Sequence, residues 1–452
     1  MQKSDLRDYF LDVIASKIQK GKTPLIGLEY EKFILLPSKP PRKYRPLPVL
    51  EHEGMLPIME SFCSEISTKE NPWEKIYDGT HVIGLQDQTS QSLTIEPGGQ
   101  FELSDAPRKN LTEVHIAMTQ YLKALHSAVV QHDGKILFQG VHPVFTLAEM
   151  PLLDKQRYHI MYPYMATVGG HGQWMMKGTS GTQVSLDYFS VEDLERKFIM
   201  LNRLAPFLNV IFANSPLLKG QPNGYKSFRG RIWLDTDNQR AGLPTEFVKK
   251  SFKLQKYIDW VLRASPYFLV RNGELKPMTH IPFGKFFEEN SPIEPNMNDW
   301  EQHLGMVFPE IRIKKILEIR CMDSLRPQDI MAIPALTTCV VYNEQVFTKI
   351  EKLLMDLPEE DYGLYQKAGV EQGMDAEVNW LNFKKFIWKM MEIVLEHLGS
   401  SEEKWLLPFF EKYTKRGKAP ADYVLEQYHR TNDVWKWLDQ ELEESEFQNS
   451  AQ

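Results

Sequence analysis

The feature that most constrains this chain is a strand-like segment whose polar side chains, once sorted by face, are largely acidic. Successive residues of a β-strand point to opposite faces of the sheet, so residues two apart share a face. In residues 92–104, Thr94, Glu96, Gln100 and Glu102 fall on one face, whereas leucine, isoleucine and phenylalanine fall on the other. The segment therefore predicts a strand with one apolar face and one acidic face.

Three further segments divide in the same way. Each has apolar residues at alternate positions, as a half-buried strand does, and each places acids between them. The polar residues concerned are Glu29 and Glu31 in residues 25–36, Gln183, Ser185 and Asp187 in residues 182–189, and Glu318 and Arg320 in residues 316–322. The four segments together predict a sheet with an acidic face.

The ordinary explanation of such alternation is the wet face of an antiparallel sheet. A wet face normally interleaves lysine and arginine, because like charges opposite one another on neighbouring strands are destabilising. Among the residues just named for the four polar faces, Arg320 is the single cation. Mg²⁺ takes oxygen ligands and is commonly shared between carboxylates and substrate phosphates. We therefore expect the acidic face to form a nucleotide and metal site.

Two glycines, Gly98 and Gly99, interrupt the first segment between Glu96 and Glu102. Glycine inside a strand permits a bulge or the close approach of a ligand, which suits a nucleotide site. The alternative is a Pro-Gly-Gly turn that splits the segment in two. The sequence leaves both interpretations open.

The chain is predicted to divide near residue 330. Residues 1–330 contain all four strand segments and a Gly- and Pro-rich stretch at residues 214–244, of a kind that usually has a functional role. Beyond them the apolar residues repeat at helical spacing. We expect an α+β fold, with a catalytic antiparallel-sheet domain at residues 1–330 and a mainly helical region at residues 331–452 packed on it. The acidic residues 441–446 are expected to fray.

Composition argues against several classes of protein. The chain has 452 residues, 42% of them hydrophobic, which is enough for a large core, and its net charge of -7 argues against a general nucleic-acid binder. Its three cysteines are too widely spaced for a disulfide framework or a zinc site. No segment approaches the length of a membrane span. The sequence thus predicts a cytoplasmic protein without nucleic-acid or membrane partners, and it predicts no oligomeric state.

Six blocks of sequence carry a resemblance to a known family. They are IGLEYEKF (26–33), LTIEPGGQFELSDAP (93–107), GTQVSLDYFS (181–190), FANSPLLKGQPNGYKSFRGRIWLDTD (212–237), HLGMVFPEIRIKKILEIRCMD (303–323) and GKAPADYVLE (417–426). These blocks resemble those of glutamate-cysteine ligases of the plant and proteobacterial type, glutamate-cysteine ligase family 2. They occur in the family's order and cover most of the chain from residue 26 onward.

The resemblance implies a fold similar to glutamine synthetase and the guanidino kinases. In that fold a curved antiparallel sheet carries helices on its outer side, and its concave face holds ATP and two or three Mg²⁺ ions. The implied metal ligands are Glu29, Glu31, Glu96, Glu102, Gln183 and Glu318. Most of them are the acids that the alternation of side chains selects.

The reaction implied by the resemblance is the ATP-dependent joining of the glutamate γ-carboxylate to the amine of cysteine. It passes through a γ-glutamyl phosphate and supplies γ-glutamylcysteine for glutathione synthesis, so the substrates would be glutamate, cysteine and ATP. Phosphoryl transfer needs mainly positioning and charge neutralisation. The implied residues are Arg320 and Glu318 for catalysis, and Arg229, Arg231, Trp233, Met175 and Met176 for substrate binding.

Other functions remain open. A γ-glutamyl ligase for another amine, or one that serves an ergothioneine-type pathway, would use the same chemistry, because the sequence does not mark the acceptor pocket. A non-catalytic binding relative has little need of so much uncompensated negative charge. The glycine cluster at residues 169–172 lacks the spacing of a dinucleotide-binding loop and resembles a family loop near the active site.

Overall fold

A computed structural model describes residues 1–40, 42–49, 54–291 and 293–445, which form one large antiparallel sheet and a set of helices. The strands, numbered along the chain, are β1 (Ile26–Pro37), β2 (Tyr44–Pro46), β3 (Glu74–Asp78), β4 (His81–Gln86), β5 (Ser92–Ile95), β6 (Phe101–Ser104), β7 (Lys135–Leu137), β8 (Gly181–Leu186), β9 (Leu217–Leu218), β10 (Gln221–Pro222), β11 (Ala241–Gly242), β12 (Phe268–Arg271), β13 (Glu274–Pro277), β14 (Phe308–Pro309), β15 (Ile311–Ile313), β16 (Leu317–Asp323), β17 (Glu377–Val378) and β18 (Leu381–Asn382). The α-helices are α1 (Asp5–Gln19), α2 (Met55–Ile66), α3 (Leu111–Val130), α4 (Gln156–Met165), α5 (Gly172–Gly178), α6 (Val191–Ile211), α7 (Phe228–Trp233), α8 (Leu254–Arg263), α9 (Met297–Leu304), α10 (Ala332–Tyr342), α11 (Glu344–Met355), α12 (Tyr362–Gln372), α13 (Phe383–Glu396), α14 (Ser400–Lys412), α15 (Pro420–Thr431) and α16 (Val434–Glu444). Short 3-10 helices occur at Thr245–Phe247, Phe283–Phe287, Glu359–Asp361, Gly373–Asp375 and Thr414–Arg416. No helix within these described ranges is long and apolar enough to cross a membrane.

The large sheet has the strand order β15-β16-β8-β1-β6-β5-β4-β3, and each neighbouring pair in it is antiparallel. β1 lies near its centre and is long enough to pair with two more strands, β2 and β7, through residues 33–37. The segments predicted from alternation are β1, the β5 and β6 pair, β8 and β16. They are adjacent in the sheet, so their polar faces form one continuous surface.

The apolar face of the sheet packs against helices. Leu28 of β1, Val184 of β8 and Ile319 of β16 are fully buried and belong to one apolar cluster with side chains of α3, α6 and α10. Burial of an aliphatic side chain of this size stabilises the fold by about 1.5–3 kcal/mol, so these rows hold the helices against the sheet. The acids alternate with them and point to the opposite face. The predicted α+β fold class is confirmed.

Residues 92–104 form a hairpin rather than one strand, so the turn interpretation of Gly98 and Gly99 is correct. β5 and β6 pair with each other, and the Glu96 N–H donates to the Gln100 carbonyl at 2.9 Å to close the turn. Gly99 has a φ of 85°, which glycine adopts without strain. The expected single strand is wrong because its centre has the chemistry of a turn.

The hairpin nevertheless keeps the acids of this segment on one face. Thr94 of β5 lies opposite Glu102 of β6, and Glu96 continues the same row into the turn. Directly opposed residues of antiparallel strands point to the same side of the sheet. The acidic face is therefore present although the segment bends back on itself.

Beyond residue 330 the chain is mainly helical, from α10 to α16, with the small hairpin of β17 and β18 between α12 and α13. Residues 441–445 are part of this packing and are not frayed. Glu441 of α16 is buried, and its carboxylate accepts a hydrogen bond from Arg326 at 2.9 Å. A buried carboxylate needs such a partner, which fixes the end of the helix. Glu446, the last of the acids expected to fray, lies outside the described residues.

Candidate active site

The acidic face of the sheet forms the floor of a cavity of about 400 Å³. Side chains of α4, α5, α7, α9, β12, β14 and β15 contribute to its walls. Of the residues predicted for the site, those that line the cavity are Glu29, Glu31, Glu96, Glu102, Gln183, Met175, Met176, Trp233 and Arg320. In the described chain, Arg229, Arg231 and Glu318 do not belong to the lining.

Glu31 and Glu102 form the centre of the acidic cluster. They lie directly opposite each other on β1 and β6. Burial, followed by the charge of Glu96, raises the pKa of Glu31 to about 7. Burial also raises the pKa of Glu102 well above its ordinary value, with further contributions from Glu96, Glu29 and Glu31. Because the carboxylates repel one another, a bound cation would stabilise the cluster.

Glu29 and Gln183 extend the cluster onto the next strand. They lie opposite each other on β1 and β8. Burial raises the pKa of Glu29, and the charge of Glu318 raises it further. Gln183 accepts a hydrogen bond from the guanidinium of Arg320 through its side-chain oxygen. This pair therefore joins the acids to the cationic edge of the cavity.

Glu318 is placed differently from the other acids. Its carboxylate accepts hydrogen bonds from Arg312 at 2.6 and 2.8 Å and from Arg320 at 2.7 Å, and it is 0% exposed. Burial alone would raise its pKa, but Arg312, Lys314 and Arg320 hold that pKa well below its ordinary value. Both carboxylate oxygens are engaged, so Glu318 fixes two arginines at the edge of the cavity.

Arg312 is a candidate site residue that sequence reasoning missed. It lines the cavity beside Arg320, and it lies opposite Glu318 in the pairing of β15 with β16. Arg320 also lies over the rings of Trp233 and Phe308, with its guanidinium carbon 5.9 and 5.7 Å from their centroids. The pairing of the two strands, which the sequence does not reveal, creates this pair of cations.

Arg229 lies behind the cavity at the start of α7. Ser227 caps this short helix by accepting the Gly230 N–H at 3.0 Å, and the Arg229 Nη2 donates to the Arg320 carbonyl at 3.0 Å. The Arg229 side chain belongs to a residue only 3% exposed, and its Nε and Nη1 have no hydrogen-bond partner among the described residues. Buried donors are rarely left unpaired. Arg229 therefore has guanidinium donors available for a substrate anion.

Arg231 and His171 both contact the carboxylate of Asp235, and we call this group of three side chains the His171–Asp235 clamp. Its Nη2 lies 3.3 Å from Asp235 Oδ2, and His171 Nδ1 lies 2.8 Å from the same oxygen. A Cβ atom on Gly169 would lie 2.2 Å from the Thr236 carbonyl oxygen, so only glycine permits this close approach. The clamp ties the loop before α5 to the end of α7. The glycine cluster thus serves backbone packing, and Arg231 has an ion-pair partner away from the cavity lining.

Two cations that precede or begin α4 were also missed. Arg157 lines the cavity and donates to the Tyr158 hydroxyl at 2.9 Å. Lys155 is buried and donates from Nζ to the Ile95 carbonyl at 2.8 Å. Burial lowers the pKa of Lys155 to about 8, although the charge of Glu96 acts in the opposite direction. The sequence does show basic residues at the start of a predicted helix, at Lys155 and Arg157. No regular spacing in the sequence relates these two residues to the acids of the sheet.

One part of the cavity wall is aromatic. Tyr267 stacks on Phe308 with their ring centroids 6.4 Å apart, and Trp233 lies 5.8 Å from Phe308. The indole nitrogen of Trp233, the hydroxyl of Tyr267 and the side-chain oxygen of Gln302 are buried and have no partner in the described part of the chain. Apolar rings with a few polar atoms that lack partners are typical of a ligand pocket.

The acids fit a metal that arrives with a nucleotide. Within the described ranges, no group of three or more His, Cys, Asp or Glu side chains is arranged to hold a metal ion by itself. Mg²⁺ is usually bound through one or two carboxylates and completed by waters and substrate phosphates. Glu31 and Glu102, with Glu96 and Glu29 nearby, meet that requirement. The carboxylate chemistry therefore suits a metal and nucleotide complex better than a preformed metal site.

The acidic face and arginine edge of this antiparallel sheet suit the chemistry of an ATP-dependent ligase, and comparison with known proteins gives the family. The sequence profile described as glutamate-cysteine ligase family 2 matches residues 25–432. The chain belongs to this family.

Curated relatives agree with this family. The chloroplastic glutamate–cysteine ligase of Solanum lycopersicum is 31% identical over 436 residues, which cover 95% of this chain and 80% of that protein. The chloroplastic glutamate–cysteine ligase A of Oryza sativa subsp. indica is 38% identical over 412 residues, which cover 89% of this chain and 80% of that protein. The predicted family and the predicted ligase function are confirmed.

A solved structure shares the fold. The glutamate–cysteine ligase of Francisella tularensis, crystallised in complex with AMP, superimposes with a TM-score of 0.54 and 13% identity. The match covers 94% of this chain and 88% of that chain. At this identity the likeness concerns the fold alone, and it agrees with the predicted fold class.

The predicted cytoplasmic location is wrong by these comparisons. The curated plant relatives are named as chloroplastic proteins, in Solanum lycopersicum, Nicotiana tabacum and Arabidopsis thaliana among others. The prediction depended on a few unpaired cysteines, and these point to a reducing compartment without distinguishing one such compartment from another.

Proposed function

We propose that the protein uses ATP and Mg²⁺ to join the side-chain carboxylate of glutamate to the amine of cysteine on the acidic face of its sheet. The substrates are glutamate, cysteine and ATP, and the product is γ-glutamylcysteine, the precursor of glutathione. The observation that carries the proposal is the pair of opposed carboxylates, Glu31 and Glu102, beside Arg229, whose Nε and Nη1 have no partner in the described chain, in a protein of this family.

Arg229 is the proposed binding group for the glutamate substrate. Gly181 separates it from the acids: a Cβ atom there would lie 2.5 Å from Arg229 Nη2, and the Gly181 N–H donates to Glu31 Oε2 at 2.6 Å. Only Gly181 therefore lies between Arg229 and the acidic cluster, so a carboxylate bound to Arg229 would be close to that cluster. The opposite end of the glutamate molecule can then extend toward the site of phosphoryl transfer.

The acids are the proposed ligands of two or three Mg²⁺ ions. Glu29, Glu31, Glu96 and Glu102 would hold them, with Gln183 at the edge. Glu318 would become a ligand only by giving up a guanidinium partner. When bound, the metal neutralises phosphate charge and orients the γ-phosphate.

The proposed reaction has two displacements. An oxygen of the glutamate γ-carboxylate attacks the γ-phosphorus of ATP, the bond to the bridging oxygen breaks, and ADP leaves with the electron pair. The amine nitrogen of cysteine then attacks the acyl carbon of γ-glutamyl phosphate and loses a proton, and the bond to phosphate breaks. Positioning and neutralisation of charge are the main demands of phosphoryl transfer. Arg320, Arg312 and Arg157 meet these demands from the cavity wall.

The aromatic part of the wall is the proposed place for the acceptor. Trp233, Tyr267 and Phe308 present ring faces, and Met175 and Met176 add soft apolar surface beside them. Sulfur contacts aromatic rings favourably, by about 0.3–1.5 kcal/mol. A thiol side chain therefore suits this wall better than a charged one.

A phosphate-release assay with matched acceptors tests the proposal. The protein is given ATP, Mg²⁺ and glutamate with cysteine, with 2-aminobutyrate as its thiol-free analogue, or with glycine, and the product is identified by mass spectrometry. We expect cysteine to give the highest kcat/KM and a γ-glutamylcysteine product. Stimulation by another amine in place of cysteine would refute the acceptor and leave the ligase chemistry standing. No amine-dependent phosphate release would refute the proposal.

A further inference from the structure

Glu310 is a buried carboxyl group in the turn that joins β14 to β15. It is 6% exposed. Its N–H donates to the Gly242 carbonyl at 3.0 Å, and its carbonyl accepts the Arg320 N–H at 2.9 Å. These backbone bonds fix Glu310 beside the strand that carries the cationic edge of the cavity.

The side chain of Glu310 is held from the C-terminal helical region. Gln366 of α12 donates from Nε2 to Glu310 Oε1 at 2.9 Å, and Gln366 is itself buried. Val370 of the same helix accepts the Ser227 N–H at 3.0 Å. Helix α12 therefore contacts both Glu310 and the segment from which α7 presents Arg229.

The ionisable groups that face Glu310 in the described chain belong to two elements. They are Arg229 of α7, and Arg320 and Cys321 of β16. The polar side chains from the other two helices are neutral amides, Asn209 of α6 and Gln366 of α12. Burial raises the pKa of Glu310 to about 7, although Arg229 and Arg320 act to lower it. The described chain shows no hydrogen bond from either guanidinium to this carboxylate. Arg229 and Glu310 nevertheless meet at one residue, because Arg229 Nη2 donates to the Arg320 carbonyl at 3.0 Å and the Arg320 N–H donates to the Glu310 carbonyl at 2.9 Å. The coupling between the two side chains is therefore through charge at short range.

We propose that Glu310 is a positioning residue for the ligase reaction, and that it sets how strongly Arg229 holds the carboxylate of glutamate. This inference rests on the proposed function. An anion already near a guanidinium competes with a second anion for the same charge. Glutamate therefore binds more tightly when Glu310 carries a proton than when it is ionised. Gln366 adjusts the balance, because a hydrogen bond to the ionised carboxylate favours that form.

The test compares the pH dependence of glutamate use in the wild type and in Glu310→Gln. The KM for glutamate and kcat are measured from about pH 6 to about pH 8 at saturating ATP, Mg²⁺ and cysteine. We expect the wild-type KM to rise roughly threefold to tenfold over this range as Glu310 ionises. Glu310→Gln stays neutral, so its KM should rise less over this range than that of the wild type, and the rise that remains is due to Glu31, whose pKa is also raised to about 7 and which also faces Arg229. Glu371→Gln, an exposed change on the same helix, should keep the wild-type dependence.

A second variant keeps the inference testable if Glu310→Gln does not fold, as judged by circular dichroism and thermal unfolding. Gln366→Met removes the donor, so the rise in KM should move to higher pH. Parallel curves for the wild type and the folded variants would overturn the inference. If the wild type forms no γ-glutamyl product, the proposed function fails and the inference fails with it. If the wild type is active but Glu310→Gln leaves the KM for glutamate unaltered at every pH, the inference about Glu310 fails and the proposed function stands.

Discussion

Glu31 of β1 lies directly opposite Glu102 of β6, so two carboxylates meet across a strand pair in the middle of the large sheet. Such a pair is unfavourable in a sheet that has only a structural role. Glu96 at the adjoining turn adds to the repulsion, because its charge raises the pKa of both partners. A bound cation would relieve the repulsion, and this would connect the stability of the fold with the proposed function.

The first prediction concerns stability against pH. A carboxyl group whose pKa is raised on folding gives its full stabilisation below its ordinary pKa and loses it as the pH rises through the folded value. For Glu31 this window runs from 4.5 to about 7. With a chelator present to remove divalent metal, we expect the Tm to fall as the pH rises from about 5 to about 7.5. Addition of Mg²⁺ with ATP should raise the Tm again at the upper end of this range. Scanning fluorimetry measures both effects.

Matched variants identify the source of that pH dependence. Glu31→Gln should show a shallower decline of Tm with pH than the wild type, because the variant has one titrating group fewer in the cluster. Glu74→Gln, an exposed change on β3, should decline like the wild type. An equal slope in all three proteins would show that the decline arises elsewhere.

The second prediction separates two arginines of α7. Arg229→Lys loses the planar fork that grips a carboxylate. We expect the KM for glutamate to rise about 10- to 100-fold, as for the loss of a hydrogen bond to a charged group, with little change in the KM for ATP. Arg231→Lys, whose partner is Asp235, should change the KM for glutamate by less than about threefold. Initial-rate kinetics decide, and similar increases in both variants would contradict the assignment of Arg229.

The third prediction uses the close approach of Gly181 to Arg229. A Cβ atom at Gly181 would lie 2.5 Å from Nη2, so Gly181→Ala should displace the guanidinium and lower kcat/KM for glutamate at least tenfold. Gly363→Ala is the control, since a Cβ atom there would have open space around it beyond its own helix turn. Because Gly363 lies in helix α12, its replacement by alanine should raise the free energy of unfolding in urea by about 0.5–1 kcal/mol. The kcat/KM for glutamate should stay unchanged. Normal kinetics in Gly181→Ala would show that Arg229 need not hold its position.

The fourth prediction concerns the C-terminal helix α16. Glu441→Ala removes a buried partner of Arg326 and should lower the free energy of unfolding by about 3–5 kcal/mol. Glu443→Ala, an exposed change on the same helix, should stay within about 0.5 kcal/mol of the wild type. Urea unfolding measures both. A Glu441→Ala variant as stable as Glu443→Ala would mean that the helix end is frayed after all.

Alternation of side chains predicted the acidic face because it depends on backbone geometry within each strand. Glu29, Glu31 and Glu102 were found in this way, and they do share the floor of one cavity. The same reasoning could not show that Glu96 sits in a turn, since the hairpin of β5 and β6 preserves the alternation. It also could not show that both carboxylate oxygens of Glu318 accept hydrogen bonds from two arginines.

The rest of the site depends on contacts between segments far apart in the chain. Arg312 meets Glu318 only when β15 pairs with β16, and Arg157 reaches the cavity only when α4 packs over the sheet. Glu310 accepts its hydrogen bond from Gln366, which is 56 positions away in the chain. No local pattern carries such information, so these residues could not be predicted from the sequence.

In the proposed reaction, the acidic face of the sheet binds divalent metal together with ATP. Crystals grown with Mn²⁺ in place of Mg²⁺ and a non-hydrolysable ATP analogue would test it through the anomalous signal of the metal. We predict anomalous peaks within about 2.5 Å of the carboxylate oxygens of Glu31 and Glu102, with the triphosphate as a shared ligand. A nucleotide bound with its metal elsewhere, and no peak at these two carboxylates, would contradict the claim.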